Sequence, residues 1–75
     1  MSTPNGKNFS RLKSFRKIVG LSQTELGFAA RVAQPHISKF ESGKERPWPA
    51  ARKRLSRALG VSEYELFPPI EGKHD

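Results

Sequence analysis

The stretch Leu21-Ser22-Gln23-Thr24-Glu25-Leu26-Gly27-Phe28-Ala29-Ala30-Arg31-Val32-Ala33-Gln34-Pro35-His36-Ile37-Ser38-Lys39-Phe40-Glu41-Ser42-Gly43 decides the fold. Ser22 and Glu25 have the Ser-x-x-Glu spacing of a capping box, in which each side chain satisfies the other's backbone N–H at a helix start. The helix they open turns Leu26, Ala29 and Ala30 inward and stops near Arg31-Val32. A second helix begins near Gln34-Pro35, because proline loses nothing in a first turn whose N–H groups have no intrahelical partner. Ile37 and Phe40, with Val32 just before them, form its apolar side, and Gly43 ends it. A connection of about three residues forces the two helices to cross sharply. Gly27 costs about 1 kcal/mol against alanine in a helix interior, so it is expected to permit close backbone contact with the crossing helix.

Outward from this pair the signals remain helical, and no alternating pattern persists. Phe9, Leu12, Phe15, Ile18 and Val19 follow the 3–4 spacing of one apolar stripe on a first helix from about Ser10 to Val19, closed by Gly20. Arg11, Lys13 and Lys17 occupy its opposite face. Pro47-Trp48-Pro49 opens a fourth helix to about Leu59, with Ala51, Leu55, Ala58 and Leu59 inward and Gly60 as its cap. Ser62 and Glu65 repeat the capping-box spacing and start a short fifth helix ending at Phe67. Residues 1–8 read as a flexible arm, 9–67 as the folded domain and 68–75 as a flexible tail.

Seventy-five residues make one domain at most, since independent domains usually run to about 100–150. With no cysteine and two histidines, disulfides and zinc fingers are excluded. No apolar run is long enough for a membrane span or a signal-peptide core, so a soluble, cytoplasmic domain is expected. No Gly-rich phosphate loop, metal cluster or paired-carboxylate constellation suggests an enzyme or a cofactor. The charge is more informative. Fourteen Lys and Arg against seven acids give +7, and residues 1–60 hold 13 of those bases but only three of the acids. Such a segment attracts polyanions by long-range steering and counterion release.

The run from Leu21 to Gly27, then Val32, Ile37-Ser38 and Phe40-Glu41-Ser42-Gly43-Lys44, resembles the helix-turn-helix DNA-binding domain of the lambda-type phage repressor and Cro family. Pro47, Ala58-Leu59-Gly60-Val61-Ser62 and Glu65-Leu66-Phe67 match its last two helices in register, so the resemblance spans about residues 11–67. It implies an all-α, compact five-helix domain and a bacterial or phage-encoded, non-enzymatic transcriptional regulator, a repressor in the first instance. Its third helix would read double-stranded DNA in the major groove. On that resemblance Ala33, Gln34, Pro35, His36 and Lys39 face base edges. Gln can pair bidentately with adenine, Lys can donate to guanine, and Ala33 and Pro35 offer apolar contact to a thymine methyl. Ser38 falls nearer the core side in this register and is a weaker candidate. Ser22, Gln23, Lys44, Arg46 and Arg11 are expected at phosphates, with Lys7 a further arm contact, and Gln23 also braces the third helix. Arg16 and Glu41 occupy positions that the family pairs as a structural ion pair. A homodimer on an inverted repeat is implied, with Tyr64, Leu66, Phe67 and Ile70 near its dimer surface.

Several positions depart from the family pattern. Arg31 stands where glycine usually supplies a positive φ, and Ala33 where Ser or Thr usually caps the third helix. Arg52 and Ser56 fall on usually apolar positions, and Trp48 is expected to pack against the fourth helix or its loop. The basic run Arg52, Lys53, Arg54 and Arg57 reads mainly as a solvated face. The alternative function is an antitoxin-type protein-interaction module with secondary DNA binding, which normally needs a further segment to grip its partner.

Overall fold

Five helices form among the described residues, 10–69 of the computed structural model: α1 (Leu12–Val19), α2 (Gln23–Ala30), α3 (Gln34–Ser42), α4 (Pro49–Leu59) and α5 (Glu63–Leu66). The expectations for Lys7, Phe9, Ile70, the arm and most of the tail lie outside these residues. Both capping boxes form. Ser22 Oγ accepts from Glu25 N at 3.0 Å while Glu25 Oε1 accepts from Ser22 N at 2.8 Å, and Ser62 and Glu65 repeat the exchange. Arg31 takes up the left-handed conformation at φ 58°, and the turn closes through Val32 N donating to Gly27 O at 2.9 Å. Ala33 precedes α3 without a side-chain cap, leaving Pro35 in the first turn to favour the helical start.

Leu12, Leu26, Ala30, Val32, Ile37, Phe40, Ala51, Leu55, Leu59 and Leu66 are the buried core, drawing on all five helices and the turn. Phe15, Leu21, Ala58, Val61 and Phe67 pack partly buried around it. The chain closes on itself where Arg11 N donates to Leu66 O at 2.8 Å, tying the start of α1 to the end of α5. Burying a Leu- or Phe-sized side chain contributes about 1.5–3 kcal/mol, so six fully buried large side chains carry most of the stability of so small a domain.

The structure corrects several expectations. Helix α1 begins at Leu12, and Ile18 and Val19 face solvent, with Ile18 76% exposed. Their inward place is taken by Arg16, which is buried. Ala29 is exposed, whereas Gly27 lies inside. The close backbone approach expected at Gly27 is there, tightest at the turn: a Cβ would stand 2.7 Å from Val32 O and 3.7 Å from the backbone N of Gln34, where α3 begins. Trp48 packs its ring against His36 and Phe40 of α3. Leu66 is fully buried and therefore cannot face a second copy.

The polar residues of α4 have local reasons. Ser56 Oγ donates to Val61 O at 2.6 Å, and Arg52 Nε donates to Glu63 Oε1 at 3.2 Å. Arg54 leaves the solvated face expected of it and reaches α2, where Nε donates to Ala30 O at 2.8 Å and a second nitrogen to Arg31 O at 3.3 Å. It thereby satisfies carbonyls that the end of α2 leaves open. Arg54→Met keeps the stem and removes these charge-assisted bonds, so it should lower unfolding stability by about 1–2 kcal/mol in urea titrations. Arg31→Gly relieves a left-handed non-glycine residue and should raise the urea midpoint at unchanged slope. A lower midpoint would show that the turn gains something from the arginine that its exposed side chain does not reveal.

Candidate nucleic-acid interface

One face is built by the start of α2, the turn and the start of α3. Ala33, Gln34, Pro35, Ser38 and Lys39 are all exposed on it or along α3, with Ser22 exposed at the cap of α2. Ser38 lies four residues after Gln34, hence on the same helical face one turn on. Its placement on the core side is thus corrected, and the i, i+4 spacing was the signal that could have found it.

Behind this face runs a chain of side-chain hydrogen bonds. Arg16 of α1 donates through Nε to Glu41 Oε2 at 2.6 Å, through a terminal nitrogen to Glu41 Oε1 at 3.2 Å, and to Leu21 O at 2.8 Å. The two side chains are only 9% and 5% exposed. Gln23 Nε2 donates to Glu41 Oε1 at 3.0 Å, and its own carbonyl oxygen accepts from Gln34 Nε2 at 2.5 Å. The chain therefore runs from a buried ion pair, through the first residue of α2, to the first residue of α3. Gln23 thus has both ends of its amide engaged, whereas exposed Gln34 commits one Nε2 hydrogen to it and keeps Oε1 and the second Nε2 hydrogen for other partners.

His36 has different company. Its Nδ1 lies 3.1 Å from Glu45 Oε1, its ring meets Trp48 edge-on at 5.1 Å, and it stacks on Phe40 at 6.0 Å. The ring is set toward the loop after α3 and apart from Gln34. Lys44 and Arg46 are exposed on that loop. Arg11 is exposed at the start of α1, placed beside α5 by its backbone bond to Leu66. Sequence reasoning passed over Phe28, which is 81% exposed and shares a shallow groove with Thr24, Arg31, Ala33 and Gln34. An exposed aromatic on a helix with no apolar periodicity there gives no pattern to read. Among the described residues no group of three or more His, Asp or Glu stands together to hold a metal ion.

The hydrogen bond that Arg16 donates to Glu41 raises its pKa above the ordinary arginine range; burial pulls it down, and the charge of Glu41 raises it further. A base whose folded pKa is raised contributes its full stability below the unfolded value and loses it only as pH climbs through the folded one. The arginine side of the pair therefore stays charged through neutral and mildly alkaline pH, and no loss of stability from it is expected there. Removing one partner leaves the other buried and uncompensated. Arg16→Met should thus cost about 3–5 kcal/mol in chemical unfolding, and Arg16→Met combined with Glu41→Leu should cost less than the single change. A double variant as unstable as the sum of its singles would show that the two residues do not act as a pair.

Comparison with known proteins places this arrangement. The model of the helix-turn-helix family HTH_3 matches residues 12–66. The chain is 36% identical over 66 residues to an uncharacterised HTH-type transcriptional regulator, y4dJ, of Sinorhizobium fredii, covering 88% of this chain and 82% of that protein. Its fold is similar to the restriction-modification controller protein C.AhdI of Aeromonas hydrophila, with TM-score 0.71, 30% identity, and 76% and 86% of the two chains covered. It is likewise similar to SinR of Bacillus subtilis, a master regulator for biofilm formation solved in complex with DNA, with TM-score 0.68, 33% identity, and 72% and 87% covered. A buried ion pair braces two helices whose starts meet at one exposed polar face, on a basic chain matched by this family over most of its length. The chain belongs to the Cro/C1-type helix-turn-helix family of DNA-binding, non-enzymatic transcriptional regulators.

Proposed function

We propose that the chain is a sequence-specific repressor that sets α3 in the major groove of double-stranded DNA and reads an inverted-repeat operator as a homodimer. The observation that carries this reading is the hydrogen bond from Gln34 to Gln23, itself held by Glu41, because it fixes the direction of an exposed amide at the tip of α3. Gln34 reads adenine, Lys39 donates to a guanine one turn further along, and Ala33 and Pro35 supply apolar contact to a thymine methyl. Ser38, on the face of Gln34, adds a short donor or acceptor. Ser22 and Gln23 meet a phosphate at the N-terminus of α2, where backbone N–H groups and the helix dipole favour an anion. Lys44 and Arg46 hold the backbone from the loop after α3, and Arg11 is a further phosphate contact from the other end of the domain.

One domain of this size makes few contacts, whereas specific complexes typically reach 10⁻⁸–10⁻¹¹ M at physiological salt, which favours two copies. Their recognition helices then stand about 34 Å apart, one turn of duplex. Tyr64 of α5, 74% exposed, and the half-buried Phe67 just after it are left to the dimer surface. No helix among the described residues is long and apolar enough to cross a membrane, and the cytoplasm of a bacterium, or of one carrying a phage, is the compartment in which such a regulator meets DNA.

Selection from a random duplex pool at about 150 mM salt, where non-specific binding is suppressed, tests the reading. An enriched inverted repeat with half-site centres one turn apart is expected. A single enriched half-site would overturn the dimer, and no enrichment by folded protein would shift the function to a protein partner. On the selected operator, Gln34→Ala should cost about 1–3 kcal/mol and relax one position of each half-site, while Lys44→Ala should weaken all sequences alike and lower the salt slope by about one. Gln34→Ala binding as tightly and selectively as the unchanged chain would remove Gln34 from the base-reading set.

A further inference from the structure

Residues 43–48 connect α3 to α4 and carry Lys44 and Arg46, both exposed, on either side of Glu45. Their backbone is fastened to α3 only at its start, where Lys44 N and Glu45 N donate to Lys39 O at 3.0 and 3.3 Å. Beyond that point the fastening is by side chains, with His36 at its centre. Glu45 Oε1 lies 3.1 Å from His36 Nδ1, and the Trp48 ring stands edge-on to His36 at 5.1 Å and 85°. The same indole meets Phe40 at 5.6 Å and 71°, and Phe40 is a fully buried core residue. Trp48 is in turn the residue that caps α4, with Arg52 N donating to Trp48 O at 3.0 Å. The loop is thus clamped to α3 on both sides of Arg46, by Glu45 before it to the His36 imidazole and by Trp48 after it to His36 and Phe40 together.

We infer that His36 is a positioning residue that latches loop 43–48 onto the recognition helix, so that Lys44 and Arg46 engage the duplex backbone in fixed register with the bases read by Gln34. This rests on the DNA reading of α3 proposed above. His36 itself reads no base. The chemical logic is one of entropy and charge. Long basic side chains on a free loop must be ordered at binding, and a loop already held lowers that cost. Glu45, a carboxylate between two bases, would repel a polyanion if it swung free, and its contact with His36 keeps it against the helix.

The test uses the full chain and the duplex it selects, measuring affinity against salt concentration and against every single-base-pair variant of the site. His36→Ala should reduce the salt slope by about two, since each lost phosphate contact is worth about 0.9 on B-DNA, and should weaken binding at least about tenfold at 150 mM salt. Preference at every base pair should stay unchanged. In a chain already carrying Lys44→Ala and Arg46→Ala, His36→Ala should leave the slope where it is. Trp48→Phe, which keeps an aromatic edge, should retain the slope of the unchanged chain. Emission of the single tryptophan should shift in His36→Ala as the indole loses its neighbour. Should His36→Ala melt early, His36→Phe keeps the ring contact, loses only the bond to Glu45, and should still lower the slope. An unchanged slope in both variants would overturn the latch, as would lost discrimination at one base pair with the slope intact, which would make His36 a base reader. An unchanged chain that enriches no duplex would instead bring down the DNA reading, and the latch with it.

Discussion

Arg16 and Glu41 are taken almost wholly out of water, and the rest of the molecule is arranged around that fact. Two buried charges cost several kcal/mol each to desolvate, and their attraction repays this only when the geometry is good and the remaining valences are filled. Here the guanidinium bonds both carboxylate oxygens and a backbone carbonyl, and the carboxylate takes a further bond from Gln23. The pair joins the middle of α1 to the end of α3, and Leu21 and Gln23 join the same cluster to the start of α2. A shift of any one of these elements would leave a buried charge unmatched. The interaction therefore specifies the relative placement of three helices whose apolar contacts alone would tolerate some sliding.

The same cluster extends to the surface. Gln23 has one donor engaged inside and one acceptor engaged outside, so the order of the core is passed to Gln34 through a single amide. The exposed face at the turn and the start of α3 needs such support because its own local chemistry is weak. Ala33 offers no cap, Arg31 occupies a left-handed position disfavoured for a side chain, and the turn is held by backbone bonds with Arg54 on the carbonyls behind it. Departures from ideal local structure at the turn are thus offset by contacts from α1 and α4. The charge distribution then acts at longer range, since most of the basic residues precede residue 60 and give the helices a positive field toward polyanions.

Much of this could be read in the sequence, for physical reasons that can be named. Both capping boxes are local four-residue signals, and Gly43 and Gly60 end helices by a conformation that glycine adopts at little cost, so the boundaries of α2 to α5 follow from neighbours along the chain. The pairing of Arg16 with Glu41 was implied by family resemblance and not by spacing. Periodicity then misplaced Ile18 and Val19, because an apolar stripe cannot announce that a buried arginine occupies the inward position between them and Leu12. Arg54 was illegible for a related reason, since its partners are backbone carbonyls more than twenty residues away that carry no side-chain identity. His36 and Trp48 meet only because a loop folds back on α3, and loop geometry has no period to detect.

If Gln34 reads the operator as proposed and Gln23 aims it, a double-mutant cycle between the two on affinity for the selected duplex will show it. Gln23→Ala, Gln34→Ala and the pair together should show a coupling of about 1 kcal/mol or more, because either single change already forfeits the directed contact. Effects that simply add, within about 0.3–0.5 kcal/mol, would mean that Gln34 acts without the support of Gln23 and that the hydrogen bond between them does not direct binding.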